Sequence, residues 1–231
     1  ADVVIHSLTK FIGGHGTTLG GIIVDGGTFP WTENAERFPW FSEPEPAFHG
    51  VRYGPEHAQA PFATRFRTVG LRNTGASLSP FNAFLLLQGL ETLAVRLPRH
   101  ETNARAIADF LAADPRVTSV SFLGLPDSPY RGLVDRYLGG RAPSIMTFTV
   151  RGGRDAGIAM FNGVKLFKRL LNMGDARSLI THPASTTHRQ LRPPELEAAG
   201  ISQDMVRLSI GLEHPEDLIA DLDQALAIAV L

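Results

Sequence analysis

From residue 104 onward, short apolar runs alternate with helical patterns, and this alternation constrains the fold more than any other feature of the chain. Ala104, Ile107, Ala108 and Leu111 recur at i, i+3, i+4 and i+7, which predicts a helix near 99–113. Asp114-Pro115 is expected to end that helix and to mark a domain boundary, dividing the chain into residues 1–113 and 114–231. Residues 117–122, 145–150, 178–181 and 206–210 read as strands. Between them, Met160, Val164, Phe167 and Leu171 share one face of a helix predicted over 155–171. A last helix begins at His214-Pro215-Glu216-Asp217, with proline in its first turn and acids near its positive end. Leu218, Leu222, Ala225 and Ala229 form its apolar stripe. Strands interleaved with helices imply a small α/β layer structure in this half.

The first hundred residues have a different texture. Val3, Val4 and Ile5 read as the end of a buried strand, and residues 20–25 as a second apolar strand. Residues 26–75 are rich in glycine, proline and aromatics, a composition of loops and short helices whose aromatic rings need something to pack against. Ser79-Pro80 has the form of a helix start, with serine as N-cap and proline at the first position, followed by an apolar segment from 81 to 90. Residue 1 is alanine and a strand begins almost at once, so the chain is expected to be the C-terminal part of a longer polypeptide.

Composition removes several classes of function. With 43% hydrophobic and 19% charged residues, the 231 residues suit a folded globular protein. A formal net charge of −1 gives no electrostatic reason to expect nucleic acid or an anionic membrane as a partner. Cysteine is absent, which excludes disulfides, Cys-ligated zinc and a thiol nucleophile, and fits a cytosolic protein.

Lysine is scarce. Lys10, Lys165 and Lys168 are the only lysines among 22 basic residues, the rest being arginine. Lys165 and Lys168 fall on the predicted 155–171 helix as solvated charges. Lys10 instead stands in Ser7-Leu8-Thr9-Lys10-Phe11-Ile12-Gly13-Gly14-His15. A lysine among hydroxyls and glycines, in a chain that otherwise uses arginine, points to a deprotonatable amine. The set suits a phosphate-bearing aldehyde: an amine to form a Schiff base, hydroxyls for the phosphate, glycines where bulk must stay out. In an extended segment Ser7 and Thr9 point to the same side, within reach of one phosphate. The bland alternative is a surface lysine in a glycine-rich turn.

Arg207 is the second candidate. It lies between apolar residues of a predicted strand, and a buried guanidinium needs an anion. Either it forms an internal ion pair with Glu213 or Asp204, or its planar fork receives the carboxylate of a ligand. His182 and His188 are six residues apart, a separation that fits no common zinc spacing, and no third ligand accompanies them.

The 7–15 segment resembles the cofactor-lysine pattern Ser-x-Thr-Lys-aromatic-aliphatic-x-Gly-His of the Cys/Met-metabolism, or trans-sulfuration, enzymes, which depend on pyridoxal 5'-phosphate (PLP). Two further blocks agree in order, residues 174–188 and 206–218, so that the resemblance covers essentially the whole chain. It implies an α/β PLP-dependent fold type I, with residues 1–113 closing the cofactor domain and 114–231 forming the small C-terminal domain. It implies that Lys10 is the Schiff-base lysine, that Ser7 and Thr9 hold the phosphate, and that Arg207 and Ser178 bind the substrate carboxylate. Within the family, residues 39–54 and 65–104 are similar to the O-acetylhomoserine sulfhydrylases, whose long connection here is shorter in cystathionine synthases and lyases. Leu8, where alanine is usual, and Arg72-Asn73-Thr74 are small departures. The implied reaction is γ-replacement on O-acetyl-L-homoserine by sulfide or a thiol, giving homocysteine or methionine and acetate. γ-Elimination of the methionine or cystathionine γ-lyase type, or a non-catalytic oligomerisation module, are the alternatives. The resemblance also implies a cytoplasmic homotetramer and an N-terminal half carrying the rest of the cofactor site, so that this piece alone is expected to be inactive.

Overall fold

The computed structural model describes residues 1–230, and its packing divides into two compact units. The first comprises Ala1–Thr9 and Thr18–Leu86; the second comprises Lys10–Thr17 and the chain from Leu87 onward. The packing thus passes from one unit to the other between Leu86 and Leu87. The reason is the helix that ends at Ala113: it packs against the C-terminal sheet and its last helix, so it belongs with the residues that follow it.

In the first unit, β1 (Val3–Ser7) and β2 (Gly21–Asp25) form an antiparallel ribbon in register Val3↔Asp25 to Ser7↔Gly21. The expectation of a buried strand is not met: Ile5 is 68% exposed in this two-stranded ribbon, since side-chain burial needs a layer packed on the ribbon's face. As expected, the following stretch is loop with short helices: a 3-10 turn at Pro39–Phe41, α1 (Tyr53–Glu56), α2 (Pro61–Arg65), a π-helical stretch Phe66–Leu71 and α3 (Arg72–Thr74). Its aromatics pack on one another. Trp31 stacks on Phe41 with centroids 4.1 Å apart and on Phe62 at 5.9 Å. The Asp25 carboxylate accepts the Phe62 and Ala63 amides at 2.9 and 3.1 Å, which caps the start of α2.

α4 (Pro80–Glu91) begins as the sequence predicts, with the Ser79 hydroxyl accepting the Asn82 amide at 3.1 Å. α5 (Leu93–Ala113) starts earlier than predicted, because Pro98 lies inside it, where a missing N–H removes one helical hydrogen bond without ending the helix.

The second unit is built on a five-stranded sheet in the order β3-β4-β7-β6-β5: β3 (Val117–Ser121), β4 (Ile145–Val150), β5 (Lys168–Arg169), β6 (Leu179–Thr181) and β7 (Met205–Ser209). All neighbours are antiparallel except β5 and β6. α6 (Arg131–Leu138), α7 (Gly153–Gly163), α8 (Pro193–Ala198) and α9 (Pro215–Ala229) complete it. Along β4, Met146, Phe148 and Val150 are buried while Ile145, Thr147 and Thr149 are less so; on β7, Val206 and Leu208 join the buried face. That face packs with α5, α7 and α9 through Ala104, Ile107, Leu111, Met160, Leu218 and Leu222. Arg207 projects from the other face.

The helix predicted over 155–171 ends at Gly163. Val164 is extended, and the Asp221 carboxylate on α9 accepts the amides of Lys165, Leu166 and Phe167 at 2.7, 2.8 and 3.0 Å. Three charge-assisted hydrogen bonds outweigh continuation of the helix, and Val164 and Phe167 still reach the core. Lys168 consequently lies on β5, and both it and Lys165 remain exposed. Among the described residues no helix is long and apolar enough to cross a membrane.

Candidate functional site

The loop that follows Lys10 is held from two sides. On one side stands the segment 172–177. Ala176 donates its amide to Gly14 O at 2.8 Å, and Arg177 Nη2 donates to His15 O at 3.3 Å. Gly174, at φ +70°, lies where any Cβ would strike Phe11. This contact brings Asn172 to the lysine: Lys10 Nζ donates to Asn172 Oδ1 at 2.8 Å. The amine is partly buried, and among the described residues it forms no ion pair; its partner is a neutral amide.

The segment 172–177 is itself docked on the end of β7. Gly174 donates to the Ser209 hydroxyl at 3.1 Å, and Leu212 donates to Ala176 O at 2.8 Å. Asp175, almost fully buried, is tied to Arg177 at 3.0 Å. Burial alone would raise its pKa, but the Arg177 side chain and amide more than offset this and hold the carboxyl below its usual range.

Arg207 stands at the centre of β7. Its cross-strand neighbours are Thr147 on β4 and Thr181 on β6, so that a guanidinium lies between two hydroxyl-bearing residues on one sheet face. Among the described residues it pairs with no carboxylate. The internal ion pair with Glu213 or Asp204 is therefore not formed; Glu213 is committed to Ser178 instead. Burial pushes the Arg207 pKa below its usual value, the signature of a cation desolvated without an anion.

The Ser178 hydroxyl is engaged within the protein. It is fully buried, its Oγ donates to Glu213 Oε2 at 2.8 Å, and the same oxygen accepts the Gly211 amide at 2.8 Å. A hydroxyl has one proton, and in this arrangement the Glu213 carboxylate receives it. These bonds join the start of β6 to the end of β7.

Ser7 and Thr9 belong to the first compact unit, and Lys10, Ser178 and Arg207 to the second. β1 ends at Ser7, which is exposed, and Leu8 to Lys10 form a turn, so Thr9 does not continue the extended alternation expected of it. Thr9 Oγ1 accepts the Gly20 amide at 3.1 Å and donates weakly to Gly20 O at 3.4 Å. This exchange closes the loop between residues 9 and 20.

His182 is buried, with Nε2 donating to Gln203 O and Nδ1 facing the Ser185 hydroxyl, both at 2.8 Å. Burial lowers its pKa. Among the described residues no three His, Asp or Glu side chains gather as metal ligands. Two residues that sequence reasoning passed over are Asn172 and Arg96. The Arg96 guanidinium donates to Phe11 O, Ile12 O and Gly89 O at 2.9, 3.1 and 2.7 Å. Nothing local marks either residue.

A family model described as Cys/Met metabolism PLP-dependent enzyme matches residues 1–227. The homocysteine synthase of Schizosaccharomyces pombe is 45% identical over 229 residues, which cover 99% of this chain and 53% of that protein. The O-acetyl-L-homoserine sulfhydrylase 1 of Thermus thermophilus is 45% identical over 227 residues, 98% of this chain and 53% of that protein. A Campylobacter jejuni protein, solved as an O-acetylhomoserine (thiol)-lyase with a pyridoxyl-lysine monophosphate, superposes with a TM-score of 0.89 at 40% identity, covering 98% of this chain and 54% of that one. The α/β fold expected from the sequence is the one this neighbour has over the shared residues. The chain spans about half the length of the relatives it matches.

Proposed function

We propose, for a chain that belongs to the Cys/Met metabolism family of PLP-dependent enzymes, that it carries the cofactor lysine and the substrate-binding arginine of an enzyme that replaces the acetoxy group of O-acetyl-L-homoserine. Sulfide as the incoming group gives L-homocysteine and acetate; methanethiol gives L-methionine. The observation that carries the reading is Arg207, a half-buried guanidinium with no carboxylate partner among the described residues, which leaves a planar two-pronged donor for the α-carboxylate of an amino acid.

The residues present fit PLP. Lys10 offers an amine that, among the described residues, is held by a neutral amide and by no carboxylate that would fix it as a charge. Ser7, exposed, and Thr9, whose proton is only weakly engaged at 3.4 Å from Gly20 O, are the hydroxyls that would hold the phosphate. When bound, PLP supplies an electron sink for negative charge at the substrate carbon bearing the amino group. Lys10 Nζ is then the group to carry protons from the substrate α- and β-carbons, and the Asn172 carboxamide steadies it between transfers. Arg207 holds the substrate carboxylate. The rest of the polypeptide, a homotetrameric assembly and a cytoplasmic setting complete the reading, on the resemblance to the sulfhydrylases.

The test is product analysis with the complete polypeptide, PLP, O-acetyl-L-homoserine and sulfide. Homocysteine is expected as the main product. A predominance of 2-oxobutyrate and ammonia at saturating sulfide would replace this reading by γ-elimination.

A further inference from the structure

We propose that Arg96 is the positioning residue of Lys10: its guanidinium ties the two peptide carbonyls that follow the lysine to the α4–α5 junction, and so aims the Lys10 side chain at Asn172. This rests on the reading of Lys10 as the cofactor lysine.

Arg96 lies in the first turns of α5 and is 6% exposed. Burying a guanidinium without an anion is costly, and among the described residues Arg96 pairs with no carboxylate. What compensates it is a set of directed neutral acceptors. Nη1 donates to Phe11 O at 2.9 Å, Nη2 to Ile12 O at 3.1 Å and to Gly89 O at 2.7 Å, and Nε to Thr92 Oγ1 at 3.0 Å. Gly89 O belongs to the last turn of α4, whose carbonyls have no helical partner and favour a cation. One planar group therefore joins the end of α4, the start of α5 and the first two peptides after Lys10.

The glycines of the lysine segment serve this clamp. Gly14 has φ +72°, and a Cβ there would lie 2.6 Å from Arg96 Cζ. The bulk kept out at Gly14 is that of its own side chain, in favour of Arg96. On the opposite side the loop is held by residues 174–177, in the segment that also presents Asn172. Without Arg96, the Phe11 and Ile12 carbonyls lose their anchor, and residues 11–14 can pivot about Gly13-Gly14. A displacement of about 1 Å at a proton-carrying amine costs on the order of a hundredfold in rate.

The experiment uses the complete polypeptide with PLP, unsubstituted and as Arg96→Met, Arg96→Lys and Gly14→Ala. The last displaces Arg96 without removing its charge. Three quantities are read: the rate at which PLP becomes attached to Lys10, trapped by borohydride and located by mass; kcat per trapped site; and KM for O-acetyl-L-homoserine. In Arg96→Met and Gly14→Ala, attachment and kcat per site fall roughly 10- to 100-fold, while KM stays within about threefold because Arg207 is untouched. Arg96→Lys recovers part of the loss. If Arg96→Met does not fold, Gly14→Ala and Arg96→Lys carry the comparison. Values of kcat per trapped site and of attachment rate within about twofold of the unsubstituted protein would reduce Arg96 to a structural residue and overturn the proposal. If the unsubstituted protein took no label at Lys10, the functional reading would fall, and this one with it.

Discussion

Ser178→Ala separates two roles that the sequence alone merges. The family resemblance gives this serine to the substrate carboxylate; the structure gives its one proton to Glu213 Oε2 and its lone pair to the Gly211 amide, both at 2.8 Å and out of contact with water. Removing the hydroxyl deletes a hydrogen bond to a charged group, worth about 1.5–3 kcal/mol, and strands a buried amide, at about 1–3 kcal/mol. The Ser178 amide still donates to Glu213 Oε1 at 2.7 Å, so the carboxylate keeps one partner and the total should sit near 3–5 kcal/mol. Urea unfolding of the complete polypeptide is expected to show a loss of that size, with KM for O-acetyl-L-homoserine changed by less than about threefold. An unchanged unfolding curve together with a tenfold rise in KM would refute the reasoning and return Ser178 to the substrate.

Arg207→Lys keeps the charge but loses the planar fork, so KM should rise by about 10- to 100-fold, with kcat less affected; an unchanged KM would contradict Arg207 as the carboxylate ligand. Asp221→Ala leaves the amides of Lys165, Leu166 and Phe167 without their acceptor and should cost about 3 kcal/mol or more in unfolding experiments; a loss below about 1 kcal/mol would show that the 164–168 connection does not depend on it. Burial holds the pKa of His100 and of His182 below the ordinary histidine value. As pH falls through about 6.5, the unfolded chain takes up these protons before the folded one, so stability should decline by up to about 1.4 kcal/mol per pH unit for each histidine. Asp114 and Asp175, held below the usual carboxylate range, lose their contribution only at more acid pH, so a stability flat between pH 6.5 and 5 would contradict the histidine assignment.

The parts of the fold that could be read from the chain are those whose causes are local. Alternation along β4 and β7, the serine cap of α4 and the proline with acids at the start of α9 each act within a few residues. The 155–171 helix failed because its cause is distant: Met160, Val164 and Phe167 do reach one core, but the last two arrive on an extended connection held by Asp221, 54 to 56 positions away in sequence. β1 looked buried because its residues are apolar, yet burial depends on what packs against a strand. At the candidate site, the proposals for Lys10 and Arg207 rest on local signals: the first on its chemistry, the second on the conflict between its charge and its setting. Asn172 meets Lys10 across 162 positions, and Arg96 meets Phe11 across 85. Neither carries a local mark, and the same is true of the Glu213 carboxylate that occupies Ser178.

The central claim is that Lys10 holds the cofactor. Borohydride reduction of the complete polypeptide after incubation with PLP, followed by peptide mass analysis, tests it most directly. One pyridoxyl phosphate group on the peptide containing Lys10, and none on Lys165 or Lys168, is the predicted result; label on either of those exposed lysines alone, or on no lysine, would contradict it.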